Sequence, residues 1–225
     1  MSTTIIPIVH IGEVIRNAVV FKLRNAQGDS VNADSLIETV ARFFRLLRER
    51  QVEYVLAGGI ALLQYVEGRN TEDVDLIMAL SALERIPEIS VETQDADFAR
   101  GKFGDLRVDI LLASNPLFEE VRDHHATTQR FVEQEIPCAT VEGLILLKLY
   151  ALPSLYRQGN FARVGLYEND IATLVHEYKP PLDKLFGVLA FHLSEDDLSQ
   201  VKEIVVEIQQ RIKRFDADLE SNPNE

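Results

Sequence analysis

The sequence predicts an α+β fold with a helical C-terminal region. In the first half of the chain, short apolar segments bounded by glycine or charged residues have the length and composition of buried strands. Around them, and throughout the last third, apolar residues recur every three or four positions, as in helices with one buried face. The composition, with 46% hydrophobic and 26% charged residues in 225, is that of a folded globular protein.

The predicted helices are defined by apolar spacing and by signals at their ends. Ser35 and Glu38 form a capping box that places the start of the first one, and Pro153 ends or kinks a later one. The last helix begins at Ser194, and its apolar stripe packs either on its own domain or against a second copy. The predicted helical spans are 35–50, 60–66, 140–152, 166–178 and 194–219.

Strands are predicted between these helices, at 54–57, 73–80 and 106–112, with a weaker signal at 89–91. The glycine-containing stretch 101–104 is interpreted as a turn, and the pattern beyond Asn115 and Pro116 as helical. The first thirty residues give an ambiguous pattern. We interpret residues 1–30 as an N-terminal extension, 31–135 as the catalytic core and 136–225 as a helical region packed on that core.

Charge and sorting signals limit the classes of partner. The net charge of −13 repels a polynucleotide backbone, so a nucleic-acid substrate requires a local basic patch. No basic leader precedes the first apolar residues, and no apolar run is long enough to span a bilayer. We therefore expect a soluble, cytoplasmic protein with no membrane partner. The single cysteine, Cys138, excludes an internal disulfide and is expected to be a small buried residue.

Two glycines and two alternating aspartates form the most informative motif. Gly58 and Gly59 end the first predicted strand, and Asp73 and Asp75 open the second. Aspartates separated by one residue on a strand point to the same side, with Cα atoms roughly 7 Å apart, so they can share a divalent cation. A glycine turn that leads into a helix presents unpaired backbone N–H groups, which suit a triphosphate bridged to that cation.

Asp109 supplies a third carboxylate. It lies between Val108 and Ile110 in an apolar strand, where an ionised side chain is costly to bury without a partner or a cation. The alternative is that Asp109 lies at a strand end in water. Three acids on two neighbouring strands can hold two Mg²⁺ ions, which take oxygen ligands and complete their coordination with substrate phosphates.

The pattern Gly58-Gly59, Arg69-x-Thr71-x-Asp73-x-Asp75 resembles the DNA polymerase beta-type nucleotidyltransferase superfamily. Within it, the pattern is similar to the abortive-infection toxin nucleotidyltransferases and, at similar strength, to the minimal antibiotic nucleotidyltransferases. The resemblance implies a nucleotidyltransferase fold, a mixed β-sheet flanked by helices. It also implies a nucleoside triphosphate (NTP) as donor and pyrophosphate as product.

The resemblance also implies roles for individual residues. Asp73, Asp75 and Asp109 would be the catalytic and metal-binding carboxylates, with Asp109 on the catalytic metal and able to activate the acceptor hydroxyl. Gly58 and Gly59 would hold the triphosphate. Arg69 and Thr71 would contact it too, although loop solvation or a cap for the following strand explains them almost as well.

Lys148 and Asp170 match later elements of the toxin group and would also contact the nucleotide. Lys148 equally fits a side chain that runs its stem along apolar surface and leaves its amine in water. The Lys-Asp pair that precedes the aspartate in the toxin group is missing before Asp170, which keeps open a non-catalytic regulatory or antitoxin module.

The acceptor hydroxyl stays undetermined by the sequence. A toxin of a toxin-antitoxin system would modify tRNA, another RNA or a protein and would have a cognate antitoxin as partner. A small-molecule enzyme of the aminoglycoside type is the other alternative, and the acidity of the chain suits a cationic acceptor.

Overall fold

A computed structural model of the chain describes residues 8–25, 33–67 and 70–221. The chain divides into two compact units, Met1–Thr140 and Val141–Glu225. Within the described residues the first unit contains one seven-stranded sheet with the order β3-β4-β5-β2-β1-β7-β6. Its strands are β1 (Val55–Ala57), β2 (Asp73–Met78), β3 (Ile89–Gln94), β4 (Phe98–Phe103), β5 (Leu106–Leu112), β6 (Ala126–Arg130) and β7 (Glu135–Ala139).

The sheet is mixed, which confirms the predicted α+β class. Strand β2 is parallel to β5 and antiparallel to β1, and β1 is parallel to β7. The outer pairs β3–β4, β4–β5 and β6–β7 are antiparallel. Alternate residues of the two central strands, Val74 and Leu76 on β2 and Val108 and Ile110 on β5, are fully buried on one face. The residues between them therefore lie on the opposite face.

Among the residues that the structure describes, the first unit contains five helices, namely α1 (Ile11–Asn25), α2 (Ala33–Glu49), α3 (Gly58–Leu62), α4 (Leu80–Leu83) and α5 (Pro116–His124). The apolar stripe predicted for α2 is confirmed, since its members Leu36, Val40, Phe43 and Leu47 are at most 1% exposed. Helix α1 lies in the predicted N-terminal extension and packs on α2, and its residues Ile11 and Ile15 are buried. Residues 1–7 and 26–30 of that extension lie outside the described residues.

The capping box predicted for α2 is wrong. The helix begins at Ala33, so Ser35 lies inside its first turn, and the Ser35 carbonyl accepts a hydrogen bond from the Thr39 hydroxyl at 2.8 Å. Asparagine, aspartate and serine cap helices about equally well. The three polar residues Asn32, Asp34 and Ser35 therefore do not fix the first residue of the helix.

Three strands were not predicted, and each has a local reason. Strand β4 contains Gly101, which was interpreted as part of a turn. It is a strand glycine, and a Cβ there would lie 2.5 Å from the Ser90 carbonyl oxygen of β3. Strand β6 is polar and largely exposed along its length, so it shows no alternation. Strand β7 carries Pro137, which lowers strand propensity.

The second unit is helical throughout its described residues. It contains α6 (Val141–Arg157), α7 (Phe161–Tyr178), α8 (Leu182–Leu189) and α9 (Glu195–Ser221). Helix α6 continues through Pro153 instead of ending there, because Leu152 and Leu155 on either side are buried and packing outweighs one lost backbone hydrogen bond. The stripe of α9 is buried at Val201 and Ile208. The sequence placed the start of the helical region at 136, whereas β7 keeps residues 135–139 in the sheet.

Two further expectations concern Cys138 and membranes. Cys138 on β7 is fully buried, as predicted, and burial raises the pKa of its thiol to about 12. Within the part of the chain that the structure describes, no helix combines the length and apolarity needed to cross a bilayer.

Candidate functional site

The three predicted carboxylates lie on one face of the sheet. On the parallel strands β2 and β5, Asp75 is the direct partner of Asp109. Asp73 precedes Asp75 by two residues and therefore shares its face, at a Cα separation of roughly 7 Å. All three are half-buried, in contrast to the fully buried residues on the opposite face. Asp109 was expected either at a metal or in water at a strand end, and it lies mid-strand with a 26% exposed side chain.

Gly58 fits directly against Asp75. Strand β1 ends at Ala57, the register partner of Asp75, and the chain then turns into α3 at Gly58 with φ of +61°. A Cβ on Gly58 would lie 1.8 Å from Oδ2 of Asp75 and 2.2 Å from its Cγ. Two separate reasons therefore require glycine at position 58. The backbone there is left-handed, and the Asp75 carboxylate occupies the space that a Cβ would need.

Gly59 lies close to Thr71, as Gly58 lies close to Asp75. A Cβ on Gly59 would lie 2.8 Å from Cβ of Thr71, whose hydroxyl donates a hydrogen bond to Oδ1 of Asp73 at 2.7 Å. The loop before β2 is thereby joined to the glycine bend and to the first aspartate. Ala57 gives α3 no side-chain cap, so no side chain at this position bonds to the backbone N–H groups of the first turn.

Arg100 faces Asp109 from the neighbouring strand. The two residues are register partners on β4 and β5, and Nε of Arg100 lies 3.6 Å from Oδ2 of Asp109. The arginine side chain is 57% exposed. Long, exposed ion pairs of this kind contribute little to stability. The contact therefore leaves the Asp109 carboxylate able to exchange Arg100 for another cation.

The donor set fits Mg²⁺, although the carboxylates do not form a preassembled cluster. Among the described residues, no three histidine, cysteine, aspartate or glutamate side chains are grouped closely enough to hold a metal ion. Asp73 is turned to Thr71 and Asp109 to Arg100, while Asp75 lies against Gly58. Neighbouring carboxylates repel one another unless a cation is bound between them. Three carboxylates on one face nevertheless offer the oxygen ligands that Mg²⁺ prefers.

Lys148 and Asp170 contact each other inside the second unit. Nζ of Lys148 lies 2.8 Å from Oδ2 of Asp170, and their side chains are 7% and 4% exposed. The ring of Tyr167 lies 4.5 Å from the ammonium. The alternative in which Lys148 extends its amine into water is therefore wrong. The role of the pair in nucleotide binding stays a prediction.

We predict that breaking this pair destabilises the protein more than removing it. Lys148→Met leaves the Asp170 carboxylate buried without its cation and is expected to cost about 3–5 kcal/mol of unfolding free energy. The double variant Lys148→Met with Asp170→Leu should recover most of that loss, because no buried charge remains. Urea denaturation of the three proteins measures the difference. A double variant as unstable as Lys148→Met would contradict the prediction.

Arg69 lies outside the described residues, and Arg100 was missed by the sequence analysis. Arg100 lies on β4, the second half of which was interpreted as a turn, and it faces the same side as Asp109. Alternation of Phe98, Arg100 and Lys102 with buried residues was the signal that could have revealed it.

No protein-family profile and no curated protein sequence matches the chain. Eight chains among the solved structures do. One is an antigenic nucleotidyltransferase-like protein from Paracoccidioides brasiliensis, 18% identical over 82% of this chain and 89% of that one, with a TM-score of 0.49.

Two other matches are structures of the antibiotic-resistance factor ANT(2'')-Ia, both 12% identical. The solution structure covers 82% of this chain and 98% of that one, with a TM-score of 0.44. The crystal structure in complex with adenylyl-2''-tobramycin covers 77% and 98%, with a TM-score of 0.46. At these identities no family is assigned to the chain, and its function is inferred from the site itself.

Proposed function

We propose that the chain is a metal-dependent nucleotidyltransferase that moves a nucleoside monophosphate from an NTP to an acceptor hydroxyl and releases pyrophosphate. The observation that carries this proposal is the register of Asp75 with Asp109 on parallel strands, with Asp73 on the same face and the Gly58 bend against Asp75. Carboxylates beside a backbone turn that opens a helix suit the two parts of a metal–triphosphate complex.

The three aspartates would hold two Mg²⁺ ions. Asp73 and Asp75 would bind on the side that the two ions share, and Asp109 would bind the catalytic ion. When bound, such ions neutralise charge on phosphoryl oxygens and lower the pKa of a nearby hydroxyl. The backbone N–H groups at Gly58 and Gly59 would bind the leaving phosphates. We propose that Arg69 and Thr71 make additional contacts to the triphosphate. We also propose that Lys148 and Asp170, in the second unit, contact the nucleotide.

In the proposed reaction the acceptor oxygen attacks the α-phosphorus in line with the bond to the β-phosphate. A new phosphorus–oxygen bond forms to the acceptor, and the bond to pyrophosphate breaks. The carboxylate of Asp109 takes the hydroxyl proton. The rate enhancement comes mainly from positioning, since the sheet register fixes the carboxylates relative to the glycine bend.

A non-catalytic regulatory or antitoxin module is the second candidate, and one observation favours it. The aspartates contact neighbouring groups of the protein, including Arg100, and form no preassembled metal cluster among the described residues. A role as toxin of a toxin-antitoxin system, with a cognate antitoxin, is a proposal that rests on the sequence resemblance, as does a small-molecule acceptor of the aminoglycoside type.

Calorimetric titration with Mg²⁺ and each of the four NTPs separates an enzyme from a non-catalytic module. We expect saturable, Mg²⁺-dependent NTP binding. Incubation of labelled NTPs with tRNA, proteins and aminoglycosides then identifies the acceptor class. Absence of NTP binding in the presence of Mg²⁺ would contradict the proposed function.

A further inference from the structure

Among the described residues, three cations lie on the same sheet face as the aspartates, Arg100 and Lys102 on β4 and Arg107 on β5. Register partners cross the sheet in two rows. Lys102 of β4 faces Arg107 of β5, which faces Asp73 of β2, and Arg100 of β4 faces Asp109, which faces Asp75. We name Arg100, Lys102 and Arg107 the basic triangle. The face is thus basic over β4 and part of β5 and acidic over β2.

The basic triangle is accessible. The side chains of Arg100, Lys102 and Arg107 are 57%, 47% and 46% exposed. Each has an acidic neighbour, and Lys102 contacts Glu92 at 2.7 Å while Arg107 contacts Glu72. Exposed ion pairs of this type contribute little free energy, so an incoming anion can compete with the acidic side chains for the cations.

The pairing of Lys102 with Arg107 is not explained by stability. Like charges directly opposite each other on antiparallel strands are destabilising, and these two residues are direct register partners. Their acidic neighbours Glu92 and Glu72 reduce that repulsion without removing the cations from the surface. A bound anion between the two cations would reduce it further.

The basic triangle lies on the acceptor side of the proposed reaction centre. The glycine bend follows Ala57 on β1, and Arg100 is three strands away along the same row, at about 14 Å. The carboxylates lie between them. A triphosphate held at Gly58 and Gly59 is therefore separated from the basic triangle by the reaction centre, where the acceptor hydroxyl must enter.

We infer that the basic triangle binds the phosphodiester backbone of a polynucleotide acceptor and places its hydroxyl beside Asp109. This inference rests on the proposed function and adds the acceptor class to it. Arginine matches phosphate oxygens with two parallel hydrogen bonds, which a cationic acceptor without phosphate groups does not offer. The basic triangle also supplies the local basic patch that a chain of net charge −13 requires for a nucleic-acid substrate.

The test is fluorescence anisotropy of a short labelled single-stranded RNA with the full chain and Mg²⁺. The double variant Arg100→Gln with Arg107→Gln should bind the RNA on the order of tenfold more weakly, because two phosphate contacts are lost. For the same reason, the slope of the logarithm of the binding constant against the logarithm of the salt concentration should become less steep by about 1.4. The control Arg130→Gln removes an exposed cation from β6, the strand at the far edge of the sheet, and should bind RNA as the unmodified protein does.

A second variant gives an effect of opposite sign. Glu92→Gln removes the acid that contacts Lys102 and should tighten RNA binding by about twofold to threefold, since the cation no longer has a competing partner. This variant keeps the test decisive even if the double variant unfolds. RNA affinity unchanged in both variants would overturn the inference, and so would an unmodified protein that binds a labelled aminoglycoside and not RNA.

Calorimetry with Mg²⁺ and NTP on the same preparations separates the two proposals. NTP binding that is retained in the unmodified protein and the double variant, with RNA binding weakened about tenfold in the variant, supports both. NTP binding without any RNA binding overturns the inference alone. RNA binding that depends on the basic triangle without NTP binding overturns the proposed function alone.

Discussion

Replacing Asp75 with asparagine is expected to abolish Mg²⁺-dependent nucleotide transfer, with a loss on the order of a thousandfold or more. Asp75 lies between the glycine bend and Asp109, and in the proposed mechanism it would, with Asp73, contact both metal ions. The asparagine side chain has nearly the same shape as the aspartate side chain but carries no charge. Incorporation of labelled nucleotide under saturating Mg²⁺ measures the loss, and thermal unfolding followed by circular dichroism should show a melting temperature close to that of the unmodified protein.

Asp105→Asn is the matched control for charge. Asp105 is an exposed aspartate in the turn between β4 and β5 and is not one of the three carboxylates proposed to bind metal. Its replacement changes the net charge by the same amount and should leave transfer within about twofold, because it removes no proposed metal ligand and exposed charges are screened by salt. If the Asp75→Asn variant retained turnover, Asp75 would not be a ligand of a catalytic metal ion.

Gly58→Ala is expected to impair both stability and activity. The added methyl group would lie 1.8 Å from Oδ2 of Asp75, and the φ of +61° is strained for any residue with a side chain. We expect a loss of about 2 kcal/mol or more in unfolding free energy and a loss of transfer comparable to that of Asp75→Asn, since the carboxylate must move. Urea denaturation and the incorporation assay measure the two effects.

Gly104→Ala separates backbone strain from the clash. Gly104 has the same φ of +61°, but a Cβ there meets only Cγ2 of Thr39 at 3.7 Å. This control should lose about 1 kcal/mol and retain full activity. Equal activity losses in the two alanine variants would contradict the specific fit of Gly58 against Asp75.

The arrangement of the candidate site was predictable from the sequence because it depends on short-range rules. Alternation along a strand places Asp73 and Asp75 on one side, and the polar Asp109 in an apolar strand signals a second site-facing strand. The structure adds the register that brings Asp75 opposite Asp109. Register between strands separated by some thirty residues depends on the packing of the opposite face, which no local pattern specifies.

The basic side of the face was not predictable in the same way. Gly101 made β4 resemble a turn, and its true reason, the close approach of the Ser90 carbonyl oxygen, exists only once β3 and β4 are paired. Arg100 was therefore never placed beside Asp109. In the second unit, Lys148 was left between two interpretations because the partner that excludes one of them, Asp170, lies on the next helix.

Metal binding by the three aspartates is the central proposition, and titration of Mn²⁺ followed by electron paramagnetic resonance tests it most directly. The unmodified protein should bind Mn²⁺ saturably, and Asp109→Asn, like Asp75→Asn, should weaken that binding at least about tenfold, because each loses a carboxylate ligand. The Asp105→Asn control should bind as the unmodified protein does. Mn²⁺ affinity unchanged by both the Asp75 and the Asp109 substitution would contradict a metal site on this face of the sheet.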